Sequence, residues 1–113
     1  MAVLITQLFA PSQLTASAVT IYTVPTFPAS TTLARGRLRF TNTDTSSRAV
    51  TVYAIQSGGS ATAANCCANA ETIAPNSHVD IDIPVLAAGG FIQALADVTT
   101  KVTVHALDGI LFS

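Results

Sequence analysis

The sequence predicts an all-β, single-domain protein: an antiparallel β-sandwich of jelly-roll or Ig-like type with seven or eight strands. Short runs of β-branched and aromatic residues alternate with a period of two, and Gly, Pro, Asn, Asp and Ser separate these runs. No segment has helical periodicity. A chain of 113 residues is the length of one domain and buries enough surface for a core without disulfides or metals.

The chain opens with a predicted strand at residues 2–9, whose AVLI is apolar on both faces and therefore needs cover on both sides. A break at Pro11 and a small polar linker at 12–17 follow. We therefore expect residues 1–17 to form an N-terminal strand or arm with its linker, and residues 18–113 to form the sandwich domain.

The clearest alternation lies at residues 31–43, after a predicted strand at 19–24 and a proline-rich loop. One face of this long strand carries Ala34, Gly36, Leu38 and Phe40, and the other carries Arg35, Arg37, Arg39 and Thr41. The TNTDTSS that follows favours a turn, because Asn, Asp and Ser side chains hydrogen-bond to their own backbone. It predicts a hairpin in which the run at 48–56 pairs antiparallel with the long strand.

The second half of the chain reads as a long Ala-rich loop followed by shorter strands. SGGS at 57–60 ends the preceding strand, and ATAANCCANA at 61–70 predicts a loop, with a short helical turn as the alternative. Strands are then predicted at 71–74, at 78–83 with Val79, Ile81 and Ile83 inward, at 91–97, and at 101–112, where Gly109 indicates a bulge or bend.

Composition narrows the class of partner. The chain is 50% hydrophobic and 10% charged, with 5 Lys+Arg, 6 Asp+Glu and a net charge of -1. A surface with so few charges suits contact with other protein. The high hydrophobic content and low charge exclude intrinsic disorder. A nucleic-acid partner is not expected, because the chain has no excess of basic residues. No run is long enough for a membrane span, and the first apolar run lacks the Lys or Arg of a signal peptide. Adjacent Cys66 and Cys67 predict free thiols in a reducing compartment.

Three of the five basic residues, Arg35, Arg37 and Arg39, stand about 6 to 7 Å apart on one strand face. Cross-strand pairing with Asp80 and Asp82 is the structural explanation. Docking on an acidic partner is the functional one, because guanidinium groups bind carboxylates through two parallel hydrogen bonds. Phosphate binding is a third alternative.

Catalytic, metal and cofactor sites are not predicted. A metal site would need His78, His105 and the adjacent Cys66 and Cys67 to converge, and no motif fixes such a spacing. No GxSxG nucleophile motif is present. We expect a non-enzymatic protein without a small-molecule substrate.

Two apolar segments suggest assembly with other protein. Val3, Leu4 and Ile5 belong to the first strand, which either adds to a neighbouring subunit by strand exchange or is buried by its own domain. Ile110, Leu111 and Phe112 are three consecutive apolar residues that need cover on both faces of a strand. Together with Arg35, Arg37 and Arg39 they are the candidate interface residues.

Four segments in order resemble a family of small bacteriophage virion proteins: YTVP, RLRFTNTDTSSRAVTVYAIQSGGSA, IAPNSHVDIDIPVLAAGGFIQALA and VTVHALDG. The likeness runs from about Tyr22 onward. Gln56 replaces the family's Pro before SGG, and Asn76 replaces its Gly after Pro75, where Asn retains the turn because it adopts positive φ. The resemblance implies a β-sandwich component of a phage particle, and no functional residues are carried over.

Three functions follow from this resemblance and from the composition. The first is a capsid decoration (cement) protein, a homotrimer on the capsid exterior, made in the host cytoplasm, that clamps neighbouring major capsid protein subunits. The second is a tail, baseplate or fibre module. The third is a carbohydrate-binding sandwich, which the absence of Trp and the presence of only Tyr22 and Tyr53 disfavour because sugars stack on exposed aromatic rings.

Overall fold

The structure, a computed structural model, describes residues 3–26 and 31–112. Residue 2 of the first predicted strand and most of the predicted proline-rich loop lie outside these ranges. The described residues form ten strands: β1 Val3–Thr6, β2 Ser12–Gln13, β3 Val19–Thr23, β4 Thr32–Asn42, β5 Arg48–Ile55, β6 Cys66–Ile73, β7 His78–Ile83, β8 Leu86–Ala87, β9 Phe91–Ala96 and β10 Val102–Phe112.

The strands form two antiparallel sheets packed face to face, which confirms the predicted sandwich. One sheet has the order β1-β10-β4-β7, with β2 also on β10 and β8 on β4, and the other has the order β3-β9-β5-β6. With the two-residue strands β2 and β8 set aside, this is the order of an eight-stranded jelly roll. Among the long strands only β5 and β6 are joined as a hairpin, because every other connection crosses between the sheets.

The predicted hairpin between the long arginine-bearing strand and its successor is wrong. β4 pairs with β10 and β7, whereas β5 pairs with β6 and β9 in the opposite sheet. Turn residues reverse the chain direction but do not specify the sheet to which the next strand belongs. The crossing is organised by Asn42, which is fully buried.

The side chain of Asn42 replaces the hydrogen bonds that a hairpin would have made. Its amide nitrogen Nδ2 donates to the carbonyl oxygens of Ser46, Ile73 and Ala74 at 2.9, 3.1 and 3.2 Å. Its Oδ1 accepts from the backbone N–H of Asp44 at 2.9 Å. Because one side chain satisfies groups from the turn and from the end of β6, it ties the two sheets together at this end of the sandwich.

The inward face of β4 differs from the prediction at one position. Gly36, Leu38 and Phe40 face the core as predicted, but Leu33 is buried in place of Ala34. The change of face comes from a bulge, because Arg35 pairs with Ile110 while Leu33 pairs with Leu111. A bulge inserts one residue into one strand, so the alternation shifts by one position beyond it.

The Ala-rich segment predicted as a loop is a short 3-10 turn, Ala63–Asn65, followed by strand β6. The turn agrees with the alternative prediction, whereas the loop prediction is wrong from Cys66 onward. Ala and Asn disfavour strands, and β6 is irregular, with register shifts on both sides of its pairing at Ala68 and a positive φ of 50° at Ala70. Pairing with β5 therefore outweighs the weak propensity of this segment.

Other local predictions are confirmed. β7 has the predicted bounds and buries Ile81 and Ile83, while Val79 packs partly against the core. Asn76 adopts the positive φ, 54°, that the predicted turn requires. The core lies between the sheets and contains the fully buried Phe40, Leu38, Val50, Val52, Ile92 and Val104.

The predicted linker at residues 12–17 instead belongs to the sheet and the core. Ser12 and Gln13 pair with Val104 and Thr103 of β10, and Leu14 is fully buried. Its backbone N–H donates to the carbonyl oxygen of Val102 at 2.8 Å. An apolar side chain within a small polar stretch was enough to fix the segment to the body of the sandwich.

Candidate protein-docking surface

The first strand and the end of the last strand form an apolar edge of the sandwich. Val3 lies opposite Phe112 and Ile5 lies opposite Ile110, and directly opposed residues project to the same face of a sheet. Arg35 of β4 lies opposite Ile110 and shares that outward face. We call Val3, Ile5, Arg35, Ile110 and Phe112 the docking face.

This edge is open to solvent in the single chain. Val3, Leu4 and Ile5 are 58%, 56% and 71% exposed, so the cover predicted for both faces of the first strand is not supplied by the described residues of its own domain. Leu4 pairs with Leu111 and points to the opposite face. Within the described chain β10 is the partner strand of β1, so the outer edge of β1 presents unpaired backbone groups.

A packed side chain holds β1 in place. Leu8 covers Gly109 of β10 and Gly36 of β4, which lie opposite each other across the sheet. Only Gln7 separates Leu8 from the end of β1 at Thr6. In the single chain β1 pairs with its own β10.

Two arginines of the predicted row form ion pairs within the sheet. Arg39 binds Asp80 through two hydrogen bonds, Nε to Oδ1 at 2.9 Å and Nη2 to Oδ2 at 3.1 Å. The Nε atom of Arg37 lies 3.5 Å from Oδ1 of Asp82. The predicted cross-strand pairing with β7 is therefore confirmed for these two residues.

The hydrogen bond from Arg39 holds the pKa of the Asp80 carboxyl below its usual range, and the same bond raises the pKa of Arg39. Both side chains are more than a third exposed, so solvent screens much of the interaction and the pair adds little net stability. Its main effect is that both side chains already have a partner of opposite charge within the sheet.

Arg35 differs from its two neighbours in the row. It is exposed, and in the part of the chain that the structure describes it has no acidic partner within ion-pair distance. Its neighbour across the sheet is the apolar Ile110. No charged residue precedes Arg35 in the sequence, so β1 brings no carboxylate to it.

The remaining reactive side chains do not converge on a site. Among residues 3–26 and 31–112, no group of three His, Cys, Asp or Glu side chains is placed to hold a metal ion. Cys66 and Cys67 are free thiols. Loss of contact with water on one side of the Cys67 thiol raises its pKa. His105 is half-buried beside Arg39, and its Nδ1 has no hydrogen-bond partner in these ranges.

The two tyrosines occupy different surroundings. The ring of Tyr22 lies 6.3 Å from that of Phe9 and packs against the core, and burial raises its pKa. Tyr53 lines an open depression with Ala63, Cys66 and Asn69. The tyrosines therefore do not form a common aromatic platform of the kind on which sugar rings stack.

The structure brings five of the nine predicted interface residues onto the docking face and separates the rest. Leu4 and Leu111 lie on the reverse of the same edge, while Arg37 and Arg39 lie further along β4 in their ion pairs. Leu8, which packs over Gly109 and Gly36 beside this edge, was not among the predicted residues. Glycines at two inward strand positions, Gly36 and Gly109, were the signal that a side chain packs closely there.

No protein-family model matches the sequence, and no curated protein matches it. Among the described residues, no helix has the length and apolar character needed to cross a membrane.

The fold is similar to that of chains in two solved structures, those of the Gt and Gx strains of infectious bursal disease virus, each with a TM-score of 0.50. Sequence identity is 10% and 12%, and each likeness covers 97% of this chain and 32% of the viral chain. The present chain thus spans about a third of the length of the viral chains that it matches. At this identity the likeness is one of fold, and the chain shares its β-sandwich with part of a chain from virus structures.

Proposed function

We propose that this chain is a non-enzymatic virion structural protein, a bacteriophage capsid decoration (cement) protein. It sits on the exterior of the particle and stabilises contacts between major capsid protein subunits. The observation that carries the proposal is the exposed, apolar docking face at the edge of the jelly roll. The fold supports it, because the solved structures that share this fold are those of a virus, and so does the resemblance to small phage virion proteins.

Buried contact area would perform this function without a cofactor or a substrate. Covering apolar surface stabilises a contact by about 25 cal/mol for each Å² removed from water. Val3 and Ile5 are more than half exposed and thus retain most of their surface for a partner. In a homotrimer, which we propose as the working form, three such faces bind together and their combined affinity far exceeds that of one.

The copy number of the chain in purified particles tests the proposal. Quantitative mass spectrometry measures it against the major capsid protein, and a ratio near one is expected for decoration of the whole shell. A few copies up to some dozens would instead support a tail, baseplate or fibre module. Absence from the particle would overturn a virion role and return the chain to a free binding protein.

Heat resistance provides a second test, of the clamping role itself. Particles from which the gene is deleted are expected to release their DNA at a lower temperature than complete particles, because the shell loses the contacts that resist internal pressure. Adding the purified chain back should restore the original temperature. Equal release temperatures with and without the chain would contradict a clamp.

A further inference from the structure

We propose that Arg35, alone among the three arginines of the row, binds a carboxylate of the major capsid protein that covers the docking face. The inference rests on the proposed function and deepens it, because it names the chemistry that the partner must supply. The occupant is an apolar protein surface with one acidic side chain placed over Arg35.

Arg35 differs from its two neighbours in having no ion-pair partner among the described residues. Arg37 and Arg39 already face Asp82 and Asp80 across the strand pair, at 3.5 and 2.9 Å. Binding a partner through either one would first break an existing ion pair. Arg35 lies beyond the end of β7, whose last pairing on β4 is at Gly36. None of the N–H donors of its guanidinium is therefore used in an ion pair with β7.

Arg35 lies among apolar residues of the docking face. Its cross-strand neighbour is Ile110, which in turn lies beside Ile5, and the next outward residue of β10 is Phe112. A partner that covers these apolar side chains also removes water from the guanidinium. Burial of an unpaired charge is costly. The partner therefore needs a carboxylate at this point, and a guanidinium binds one through two parallel hydrogen bonds.

A second copy of the chain, the alternative occupant, has few carboxylates to offer. Four of its six acidic residues, Asp44, Asp80, Asp82 and Asp97, already lie within ion-pair distance of arginines. Glu71 and Asp108 have no such partner among the described residues. Asp108 lies directly opposite Arg37 of its own chain, and opposite charges at directly opposed positions of neighbouring strands attract each other. A different protein is therefore the better source.

Binding to particles that lack the chain tests the inference. Purified wild-type chain, Arg35→Gln, Arg35→Lys, Arg37→Gln and Arg39→Gln are each added to particles carrying the gene deletion, and the bound fraction is measured after sedimentation. We expect Arg35→Gln to weaken binding about tenfold or more and to remove most of its salt dependence. Arg35→Lys keeps the charge and should recover part of the affinity.

Arg37→Gln and Arg39→Gln are the matched controls, because they stand on the same strand face and remove the same charge. Each is expected to change binding by less than about threefold, since the charge was already paired. Urea unfolding should show that Arg35→Gln is as stable as wild type. Equal loss of binding in all three variants, or no loss in Arg35→Gln, would overturn the inference.

Two further outcomes distinguish a failure of the Arg35 assignment from a failure of the proposed function. If the wild-type chain fails to bind the particles, the proposed function is refuted and the inference falls with it. If Arg35→Gln and Asp108→Asn both change the oligomeric state of the free chain in analytical ultracentrifugation, the carboxylate comes from a second copy, and the assignment to the capsid protein is wrong. An unchanged oligomeric state supports the assignment.

Discussion

The side chain of Leu8 lies directly over Gly109, so closely that no β-carbon fits at position 109. A β-carbon built there would stand 2.9 Å from Cδ1 of Leu8 and nearer still to two other atoms of that side chain. The sequence predicts a bulge or bend at Gly109; the structure pairs Gly109 regularly with Gly36 and places a register shift on either side of it. Its place in the sequence reflects the close approach of Leu8.

Gly109→Ala is expected to destabilise the protein by about 1–3 kcal/mol, the usual cost of forcing extra volume into a packed site. Urea denaturation measures the change. Gly36→Ala is the matched control on the opposing strand, where a β-carbon would meet Leu8 and Ile83 at an ordinary 3.4 Å, and it should cost less. In the double variant Leu8→Ala/Gly109→Ala the two costs should not add, and strict additivity would show that Leu8 is not the cause.

Asn42→Ala is expected to destabilise the protein by about 3 kcal/mol, because it leaves buried carbonyl groups of Ile73 and neighbouring residues without their donor. Thr41→Ala, at the adjacent outward position, is the control and should cost less than about 1 kcal/mol. Thermal unfolding followed by circular dichroism distinguishes them. Similar values for the two variants would mean that Asn42 does not hold the crossing between the sheets.

The stability of the protein should fall in acid partly through Asp44. A hydrogen bond from Arg48, at 2.6 Å, and one from the backbone N–H of Thr45 lower the pKa of this carboxyl. A carboxyl with a lowered folded-state pKa adds stability above its unfolded pKa, about 3.9. That contribution is lost as the pH falls through the lower folded value.

Asp44→Asn removes this contribution, so the difference in unfolding free energy from wild type should be largest near neutral pH and shrink in strong acid. Denaturant titrations across that range measure it. Asp82→Asn is the control, because its pair with Arg37 is long at 3.5 Å and the Asp82 side chain is 67% exposed. A difference for Asp44→Asn that does not vary with pH would contradict the role of its ionisation.

Ile5→Lys is expected to abolish attachment to particles while the isolated chain stays folded. Ile5 is 71% exposed, so the lysine meets water in the free chain but must be desolvated under a partner. Val85→Lys is the matched control, since Val85 is a 58% exposed aliphatic residue outside the docking face. Attachment assays and thermal unfolding of both variants should separate binding from folding, and equal binding by both would exclude the docking face as the contact.

Much of the fold was predictable because a half-buried strand shows its burial in alternate residues. The period of two at β4, β5, β7 and β10 is visible in the printed sequence, and those strands lie close to their predicted positions. The end of β6 coincides with the strand predicted at 71–74, but its first part, residues 66–70, was predicted as a loop because small residues in an irregular strand carry no such period. Its pairing with β5 supplies the stability that its own side chains do not.

The candidate site was predictable only as a list of residues. The apolar character of Val3 and Ile110 and the row of arginines are properties of the sequence, as are the lack of charge before Arg35 and the turn at Asn76. These properties determine that the protein is a strand-rich sandwich with an apolar end that carries few charges. The reason is that the spacing of apolar residues and the residues that favour turns each determine the structure of the segment that contains them.

Strand order was decided only in the tertiary structure, because pairing joins segments far apart in the chain. The register of β10 between β1 and β4 places Ile5, Ile110 and Arg35 side by side. The register of β7 on β4 gives partners to Arg37 and Arg39 but ends before Arg35. No local signal distinguishes the three arginines, and it is the register of β7, whose two carboxylates lie opposite Arg37 and Arg39, that leaves Arg35 unpaired.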